Sequence, residues 1–327
     1  MINTEFPILT EDLNSWKGNS LMSVTQITSG GFETVVEVAK GMRRIVKEKG
    51  GDDRLKHKLL ATVFYEASTR TSGSFQAAIM RLGGKFLHVD GQGNSSAAKK
   101  KESLSDTIRC LECYVDVLVL RHPVTGSVPK VAKIAAKPML NAGDGIGEHP
   151  TQALLDAFTI WDELKGDPKV VVFLGDLKHG RTVHSLARLL VQLRPNSDLV
   201  LRFCSPPGLE VPSKVLEYCQ EHGVKHETYD DLNNACQGSQ VLYATRIQRE
   251  RFESEEAYET VKGSYIVDKA FMATAPSNMR LLHPLPRVDE IAPDVDDDDR
   301  AAYFRQMENG MYVRMALLAL MLGKADE

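Results

Sequence analysis

Short apolar runs alternate with segments in which apolar residues recur every three or four positions, and this alternation extends along most of the chain. Nearly continuous apolar runs are typical of strands in parallel sheets that are covered on both faces. The segments between them have the helical period, as in the stripe formed by Leu154, Phe158 and Trp161. The pattern therefore predicts an α/β fold with two doubly wound, mostly parallel sheets joined by right-handed crossovers.

Eight apolar runs are predicted as strands: residues 59–65, 85–90, 115–120, 139–141, 170–175, 200–204, 241–245 and 265–268. Helical patterns are predicted to begin near Ser74, to cover 182–193 and to form a final helix over about 300–322. Pro150 is well placed to open a further helix. These elements bring several polar clusters to the ends of strands and the starts of helices.

Composition excludes several function classes. A chain of 327 residues with 43% hydrophobic content can bury a large core and is predicted to form two domains. The net charge of −4 provides no broad basic field, so nucleic acid is not an expected partner. Residues 1–17 do not resemble a secretory signal, and the apolar stretch 315–322 is far shorter than the ~20 residues that span a bilayer. We expect a cytoplasmic protein without a membrane partner.

The cysteines and the acidic run do not predict a metal site. Cys110 and Cys113 form one C-x-x-C pair, but the other three cysteines are scattered and provide no second pair. Because this pair falls on a helical pattern, both thiols are predicted to be buried. Scattered, unpaired cysteines indicate a reducing, cytosolic compartment. The run from Asp296 to Asp299 is more typical of solvated acidic residues than of metal ligands. No metal or cofactor is expected.

The segment Ser68-Thr69-Arg70-Thr71 lies between a predicted strand and a predicted helix. Backbone N–H groups at a helix start are unpaired and carry partial positive charge, so this position favours an anion. An arginine there opposes the helix dipole unless an anion lies between them. The segment indicates a phosphate site, although a capped helix start with an exposed arginine is an equally simple interpretation.

Further polar clusters follow along the chain. Gly143, Gly145 and Gly147 precede His149-Pro150-Thr151-Gln152, where tight turns would bring the backbone close to a ligand. Arg181 opens a predicted helix, and Arg246 and Gln248 follow a predicted strand, where α/β sheets place ligands. The basic segment Lys99-Lys100-Lys101 could equally be a solvated patch, and His149 beside proline could be structural.

In this order the clusters closely resemble those of the aspartate carbamoyltransferase family, from about residue 20 to the C-terminus. The resemblance rests on the segments quoted above and on four more: Asn94-Ser95-Ser96, Arg121-His122-Pro123, the block Gly175-Asp176-Leu177-Lys178-His179-Gly180-Arg181, and His283-Pro284-Leu285-Pro286-Arg287. It implies a carbamoyl-phosphate-binding domain over 1–150, an aspartate-binding domain over 151–299, and a last helix, 300–327, that returns to the first domain.

The resemblance also implies roles for individual residues. Carbamoyl phosphate would be bound by Ser68, Thr69, Arg70, Thr71, Arg121, His149 and Gln152. Of these, Arg70, Thr71, Arg121 and His149 would be catalytic together with Lys100. Donors fixed around the carbonyl oxygen lower the barrier by stabilising the negative charge that develops there.

L-Aspartate would be bound by Arg181, Arg246, Gln248, Leu285, Pro286 and Lys100, and the resemblance implies a cis bond before Pro286. Ser96 and Lys100 would come from the neighbouring subunit of a homotrimer, although Lys99 or Lys101 could replace Lys100. The block around His149 is most similar to the carbamoyltransferase domain of the fused enzymes of eukaryotic pyrimidine (UMP) synthesis. Other domains of such a multienzyme are therefore possible partners.

Three alternatives compete with this interpretation. Ornithine carbamoyltransferases carry His-Cys-Leu-Pro where this chain has His283-Pro284-Leu285-Pro286, and Arg246 would repel a cationic side chain. A dinucleotide-binding dehydrogenase requires G-x-G-x-x-G, which the sequence after Gly175 lacks. A catalytically inactive, structural carbamoyltransferase domain is disfavoured because a competent residue occupies every matched position.

Overall fold

The computed structural model describes residues 5–91 and 102–326, in which nine strands form two sheets whose pairings are all parallel. The strands are β1 (Leu59–Phe64), β2 (Lys85–Asp90), β3 (Val117–His122), β4 (Met139–Asp144), β5 (Val170–Leu174), β6 (Val200–Cys204), β7 (Lys225–Tyr229), β8 (Val241–Ala244) and β9 (Arg280–Leu282). Their order is β2-β1-β3-β4 in one sheet and β7-β6-β5-β8-β9 in the other. This architecture confirms the predicted α/β fold.

The same residues contain eleven α-helices. They are α1 (Ser29–Lys49), α2 (Thr69–Arg81), α3 (Leu104–Glu112), α4 (Ser127–Ala132), α5 (Pro150–Leu164), α6 (Arg181–Leu193), α7 (Ser213–Glu221), α8 (Leu232–Cys236), α9 (Glu255–Glu259), α10 (Lys269–Thr274) and α11 (Tyr303–Met321). Every interval between successive strands contains a helix. Parallel pairing within a sheet requires such connections, because a crossover must return the chain to the same end of the sheet.

The chain divides into two units, each containing one sheet. The first unit is Met1–Leu155 with Glu308–Glu327, and the second is Asp156–Met307. In the first unit, Ala61, Val63, Leu118 and Leu120 pack on one face of the sheet in a core that includes Ile108 of α3. Strands buried on both faces need apolar residues at successive positions, which explains their nearly continuous apolar sequences.

One predicted strand is wrong, and two observed strands have no counterpart in the prediction. Residues 265–268 form no strand, and Val267 makes only an isolated bridge to Ile291. The run is cut short because Asp268 caps α10 by accepting from the Phe271 N–H. β7 escapes prediction because it lies at a sheet edge and consists of polar or partly exposed residues, and β9 because it has only three residues.

The prediction that Cys110 and Cys113 are buried is also wrong, since both are exposed. The buried face of α3 is formed by Thr107, Ile108 and Leu111, and a period of 3.6 residues places both cysteines on other faces. Cys204, Cys219 and Cys236 are buried. Burial raises the pKa of Cys204 and Cys219 to about 11 and that of Cys236 to about 12.

We therefore expect Ellman's reagent to modify two thiols rapidly in the folded chain and all five after unfolding, because the reactive species is an accessible thiolate. The measurement is the absorbance of released thionitrobenzoate. Replacing Cys110 and Cys113 with serine should abolish the rapid phase in the folded protein. A rapid third thiol in the wild-type chain would contradict the buried positions of the remaining cysteines.

The acidic run before α11 pairs with arginines. Asp296 Oδ2 accepts from Arg287 Nη2 at 2.6 Å, and Asp298 Oδ2 accepts from Arg300 Nη2 at 2.6 Å. These hydrogen bonds hold the pKa of both carboxyls below the ordinary value. In the described part of the chain, no three His, Cys, Asp or Glu side chains are grouped as metal ligands. No helix within those residues has both the length and the apolarity that a membrane crossing needs.

Candidate functional site

The residues predicted to bind phosphate lie at the start of α2. The helix begins at Thr69 rather than near Ser74, so Thr69, Arg70 and Thr71 all lie in that turn. Ser68 is the N-cap, and its hydroxyl oxygen accepts from the Thr71 N–H at 3.3 Å. Thr71 is buried, whereas Arg70 is exposed. The earlier start favours the anion-site interpretation, because the N–H groups of the first turn and the hydroxyls share one helix end.

Arg121 lies at the carboxyl end of β3 and is paired in register with Phe64 at the end of β1. Its Nη2 donates to Glu66 Oε1 at 2.5 Å, and the arginine side chain is only 12% exposed. Sequence reasoning does not identify Glu66, because a single acidic residue in a loop has no distinctive pattern. An anionic substrate at this position would have to share or displace the Glu66 carboxylate.

His149 and Gln152 lie where β4 passes into α5, and both are buried. Gly145 in the preceding turn has a φ of +55°, and an added Cβ would lie 2.3 Å from Thr125 Oγ1, so the turn requires glycine. The Glu148 carboxylate accepts from the Ser23 hydroxyl and the Val24 N–H, both at 2.8 Å. The backbone immediately before His149 is therefore held in one place.

In the second unit, Arg181 is the first residue of α6. The cap residue is Gly180, which has no side chain that could accept a hydrogen bond from the N-terminal N–H groups of α6. An anion at this end would be stabilised both by these donors and by the guanidinium.

Asp176 connects two of the predicted binding loops. It is fully buried, and Oδ1 accepts from the His179 N–H at 3.0 Å while Oδ2 accepts from the Gln248 N–H at 3.4 Å. Thus one carboxylate contacts both the loop that leads to Arg181 and the loop that carries Gln248. Gly175 allows this approach, because an added Cβ would lie 2.2 Å from the Thr245 carbonyl oxygen.

Arg246 follows β8 and holds a carboxylate of its own chain. Its Nη1 donates to Glu250 Oε2 at 3.0 Å, and its Nη2 donates to Glu250 Oε1. The hydrogen bonds raise the pKa of the Arg246 guanidinium and lower the pKa of the Glu250 carboxyl. A two-point contact between a guanidinium and a carboxylate is the geometry with which arginine recognises carboxylates.

The loop after β9 is fixed by His283. Its Nδ1 accepts from the Leu285 N–H at 2.8 Å, so Nε2 carries the proton that is donated to Glu290 Oε1 at 2.7 Å. The peptide bond between Leu285 and Pro286 is cis, as predicted.

A pocket opens beside Ile247, the residue between Arg246 and Gln248. Its walls include Gly175 and Thr245 at the carboxyl ends of β5 and β8, which is where parallel α/β sheets bind ligands. Arg181, Arg246, Gln248 and Leu285 follow strands of one sheet. In the other sheet, Ser68 and His149 follow strands and Arg121 lies near the end of β3. Ser96 and Lys100, with the alternatives Lys99 and Lys101, lie outside the described residues.

Two family models match the chain, one over each part of the sequence. Residues 19–162 match the family model described as aspartate/ornithine carbamoyltransferase, carbamoyl-P binding domain. Residues 167–321 match the one described as aspartate/ornithine carbamoyltransferase, Asp/Orn binding domain.

Individual relatives are similar over nearly the whole chain. The chain is 46% identical over 310 residues to the aspartate carbamoyltransferase catalytic subunit of Thermococcus gammatolerans, covering 94% of this chain and 99% of that protein. It is 49% identical over 311 residues to the multifunctional protein pyr1-3 of Dictyostelium discoideum, covering 95% of this chain but only 14% of that protein. The chain therefore spans about one seventh of the length of this multifunctional relative.

Among solved structures, aspartate transcarbamoylase from Trypanosoma cruzi in complex with carbamoyl phosphate superimposes with a TM-score of 0.88 at 40% sequence identity, covering 97% of this chain and 99% of that chain. Two family models together cover most of the sequence, and a full-length relative is identical at 46% of the aligned positions, so the chain belongs to the aspartate/ornithine carbamoyltransferase family.

Proposed function

We propose that this chain transfers the carbamoyl group of carbamoyl phosphate to the amine of L-aspartate, giving N-carbamoyl-L-aspartate and phosphate. The observation that carries the choice of aspartate is the two-point contact between Arg246 and the Glu250 carboxylate. A guanidinium that already binds a carboxylate suits a substrate with an acidic side chain and would repel the ammonium group of ornithine.

The first unit would bind carbamoyl phosphate. The hydroxyls of Ser68, Thr69 and Thr71, the Arg70 guanidinium and the N-terminus of α2 form the phosphate site. Arg121, His149 and Thr71 would donate to the carbonyl oxygen, and the Gln152 carbonyl would accept from the carbamoyl NH₂. When the substrate binds, the Glu66 carboxylate would either release the Arg121 guanidinium or share it with the substrate.

The second unit would bind aspartate. Arg181 would hold the α-carboxylate at the start of α6, and Arg246 and Gln248 would hold the β-carboxylate with help from Lys100. The backbone carbonyls of Leu285 and Pro286 would accept from the amino group and direct it. Dicarboxylate recognition needs two separated cations, and Arg181 and Arg246 follow different strands of one sheet.

The chemistry follows from these positions. The amine attacks the carbonyl carbon, negative charge grows on the carbonyl oxygen, and the C–O bond to phosphate breaks. The leaving phosphate can accept the proton of the amine, so the proposed reaction uses neither a nucleophilic side chain nor a cofactor. Positioning of the two substrates and stabilisation of the developing charge would supply most of the rate enhancement.

The direct test is phosphate release from carbamoyl phosphate with L-aspartate or L-ornithine as the acceptor, together with detection of N-carbamoyl-L-aspartate. We expect turnover with aspartate and none above background with ornithine. Faster turnover with ornithine would assign the chain to the ornithine carbamoyltransferases instead. A folded protein that turns over neither acceptor would indicate a catalytically inactive structural domain.

We also propose that the enzyme is a homotrimer with shared active sites. Two features support this assembly. Strand β2 is the open edge of its sheet and is largely exposed, in contrast to the buried β1 and β3. Met80 of α2 and Leu87 of β2 are 53% and 38% exposed, although both are large apolar residues. An open sheet edge with exposed apolar side chains favours contact with another chain.

If sites are shared, a mixture of two inactive variants should regain activity. Arg70→Ala and Lys100→Ala remove groups that different chains would contribute, so about one quarter of the sites in reassembled trimers should be intact. The measurement is turnover after the mixed chains are dissociated and reassembled, with mass in solution as the check on assembly. A mixture of Arg70→Ala and Arg121→Ala is the matched control, because one chain supplies both groups and no site is complete. A fully active monomer would overturn the shared-site proposal.

We further propose a role in de novo pyrimidine (UMP) biosynthesis, in the cytoplasm and as one domain of a multienzyme. The similarity to multifunctional proteins from Dictyostelium discoideum and Squalus acanthias, each 49% identical to this chain, supports the multienzyme context.

A further inference from the structure

Asp156 is a buried carboxylate for which the proposed reaction has no use. It lies in α5, is fully buried, and accepts two hydrogen bonds from side chains that are themselves fully buried. Tyr243 Oη donates to Oδ2 at 2.7 Å, and Gln306 Nε2 donates to Oδ1 at 2.6 Å. Burying a carboxylate without hydrogen-bond donors is costly, so this position depends on the donors that Tyr243 and Gln306 provide.

Each donor leads to a segment that would bind aspartate. Tyr243 lies in β8, three residues before Arg246. Gln306 Oε1 accepts from the His283 N–H at 2.9 Å, and His283 Nδ1 in turn accepts from the Leu285 N–H. Asp156 is therefore the point at which the strand leading to Arg246 meets the loop that presents Leu285. All of these residues lie in the second unit.

The direction of each hydrogen bond is defined. Burial raises the pKa of Tyr243 well above its ordinary value, so the phenol keeps its proton and donates. The Gln306 amide oxygen accepts from the His283 backbone, which leaves its NH₂ group to donate to Asp156. The residue at position 156 must therefore accept from both Tyr243 and Gln306. An ionised carboxylate can accept with each of its two oxygens.

We propose that Asp156 is a positioning residue for the amino-acid substrate: through Tyr243 and Gln306 it fixes the strand end that carries Arg246 relative to the loop over 283–286. It would set the affinity for aspartate without touching it, and would leave the binding of carbamoyl phosphate unchanged. The inference rests on the proposed function, since it assumes that these two segments bind aspartate.

The test removes the Gln306 amide donor to Asp156. Gln306→Glu places two carboxyl groups face to face. One of them will hold a proton at low pH and lose it as the pH rises, because like charges raise the pKa of a buried pair. We expect the KM for L-aspartate, relative to wild type at the same pH, to rise about tenfold between pH 6 and pH 9, with the KM for carbamoyl phosphate unchanged within about twofold.

The double variant Asp156→Asn/Gln306→Glu is the matched control. The NH₂ group introduced at position 156 can donate to the carboxylate introduced at position 306, and the amide carbonyl at 156 can accept from Tyr243. The new carboxylate can still accept from the His283 N–H. The aspartate KM of the double variant should therefore stay within about threefold of wild type, without the added pH dependence. Tyr243, His283 and Glu290, the other titratable groups of this cluster, are the same in both variants, so the difference reports on the altered pair.

Three outcomes would overturn the inference: a Gln306→Glu variant with the aspartate KM of wild type at every pH, a double variant as impaired as the single one, or a parallel rise in the KM for carbamoyl phosphate. If melting curves show that Gln306→Glu is unfolded, Tyr243→Phe decides, because it removes one hydroxyl and keeps the packing. An unchanged aspartate KM in that variant would also reject the role. Wild-type protein that makes no N-carbamoyl-L-aspartate would instead reject the proposed function.

Discussion

Arg121→Ala is expected to lower kcat with carbamoyl phosphate and L-aspartate about 10²–10³-fold, the usual cost of removing one donor from an oxyanion site. Arg121 ends β3 beside the end of β1, and its side chain is largely buried, so its guanidinium is held in place before substrate binds. Charge on the carbonyl oxygen is greatest in the transition state, so kcat should fall more than the KM for carbamoyl phosphate rises. Steady-state kinetics with both substrates varied measures the two effects separately.

Two further variants make this result specific. Arg109→Ala removes an equal charge from the exposed surface of α3 in the same unit, and it should leave kcat within about twofold because exposed charges contribute little. Arg121→Lys keeps the charge but loses the planar fork, so it should recover only a small part of the activity. An Arg121→Ala enzyme with near-normal kcat would remove this residue from the catalytic group.

Arg246→Ala is expected to lower kcat/KM for L-aspartate about 10²–10³-fold, as the loss of a two-point contact with a carboxylate typically costs several kcal/mol. The wild-type side chain holds the Glu250 carboxylate with two hydrogen bonds, so its geometry is already that of a carboxylate-binding group. The binding of carbamoyl phosphate should be unaffected, which calorimetry in the absence of aspartate can measure.

Arg249 provides the matched control on the same loop. It is 66% exposed, and its Nε donates to Glu255 Oε2 at 2.8 Å. Arg249→Ala should therefore change kcat/KM for aspartate by less than about twofold. If both alanine variants impaired aspartate use equally, loop stability rather than carboxylate recognition would explain the effect, and the proposed role of Arg246 would be wrong.

The sequence predicts the fold well where burial controls the local pattern. Strands 85–90 and 200–204 have the predicted bounds. Strand 85–90 is largely exposed at a sheet edge, and there Gly84 and Gly91 mark the two ends of the run. Prediction fails where local signals compete. The run 265–268 has strand-forming residues, but the helix cap at Asp268 interrupts it. The predicted start of α2 is too late because serine and threonine have weak helix preference, whereas Ser68 acts as a cap.

The sequence by itself determined the alternation of strands and helices, and it placed arginines, hydroxyls and a histidine near the ends of several of them. Only the tertiary structure decided which carboxylates form hydrogen bonds with these and neighbouring segments. Glu66 meets Arg121 across 55 residues, Asp176 meets Gln248 across 72, and Asp156 meets Gln306 across 150. Periodicity reports burial over a few turns of chain, whereas these pairs form because parallel strands bring distant segments to the same edge of a sheet or to the same buried cluster.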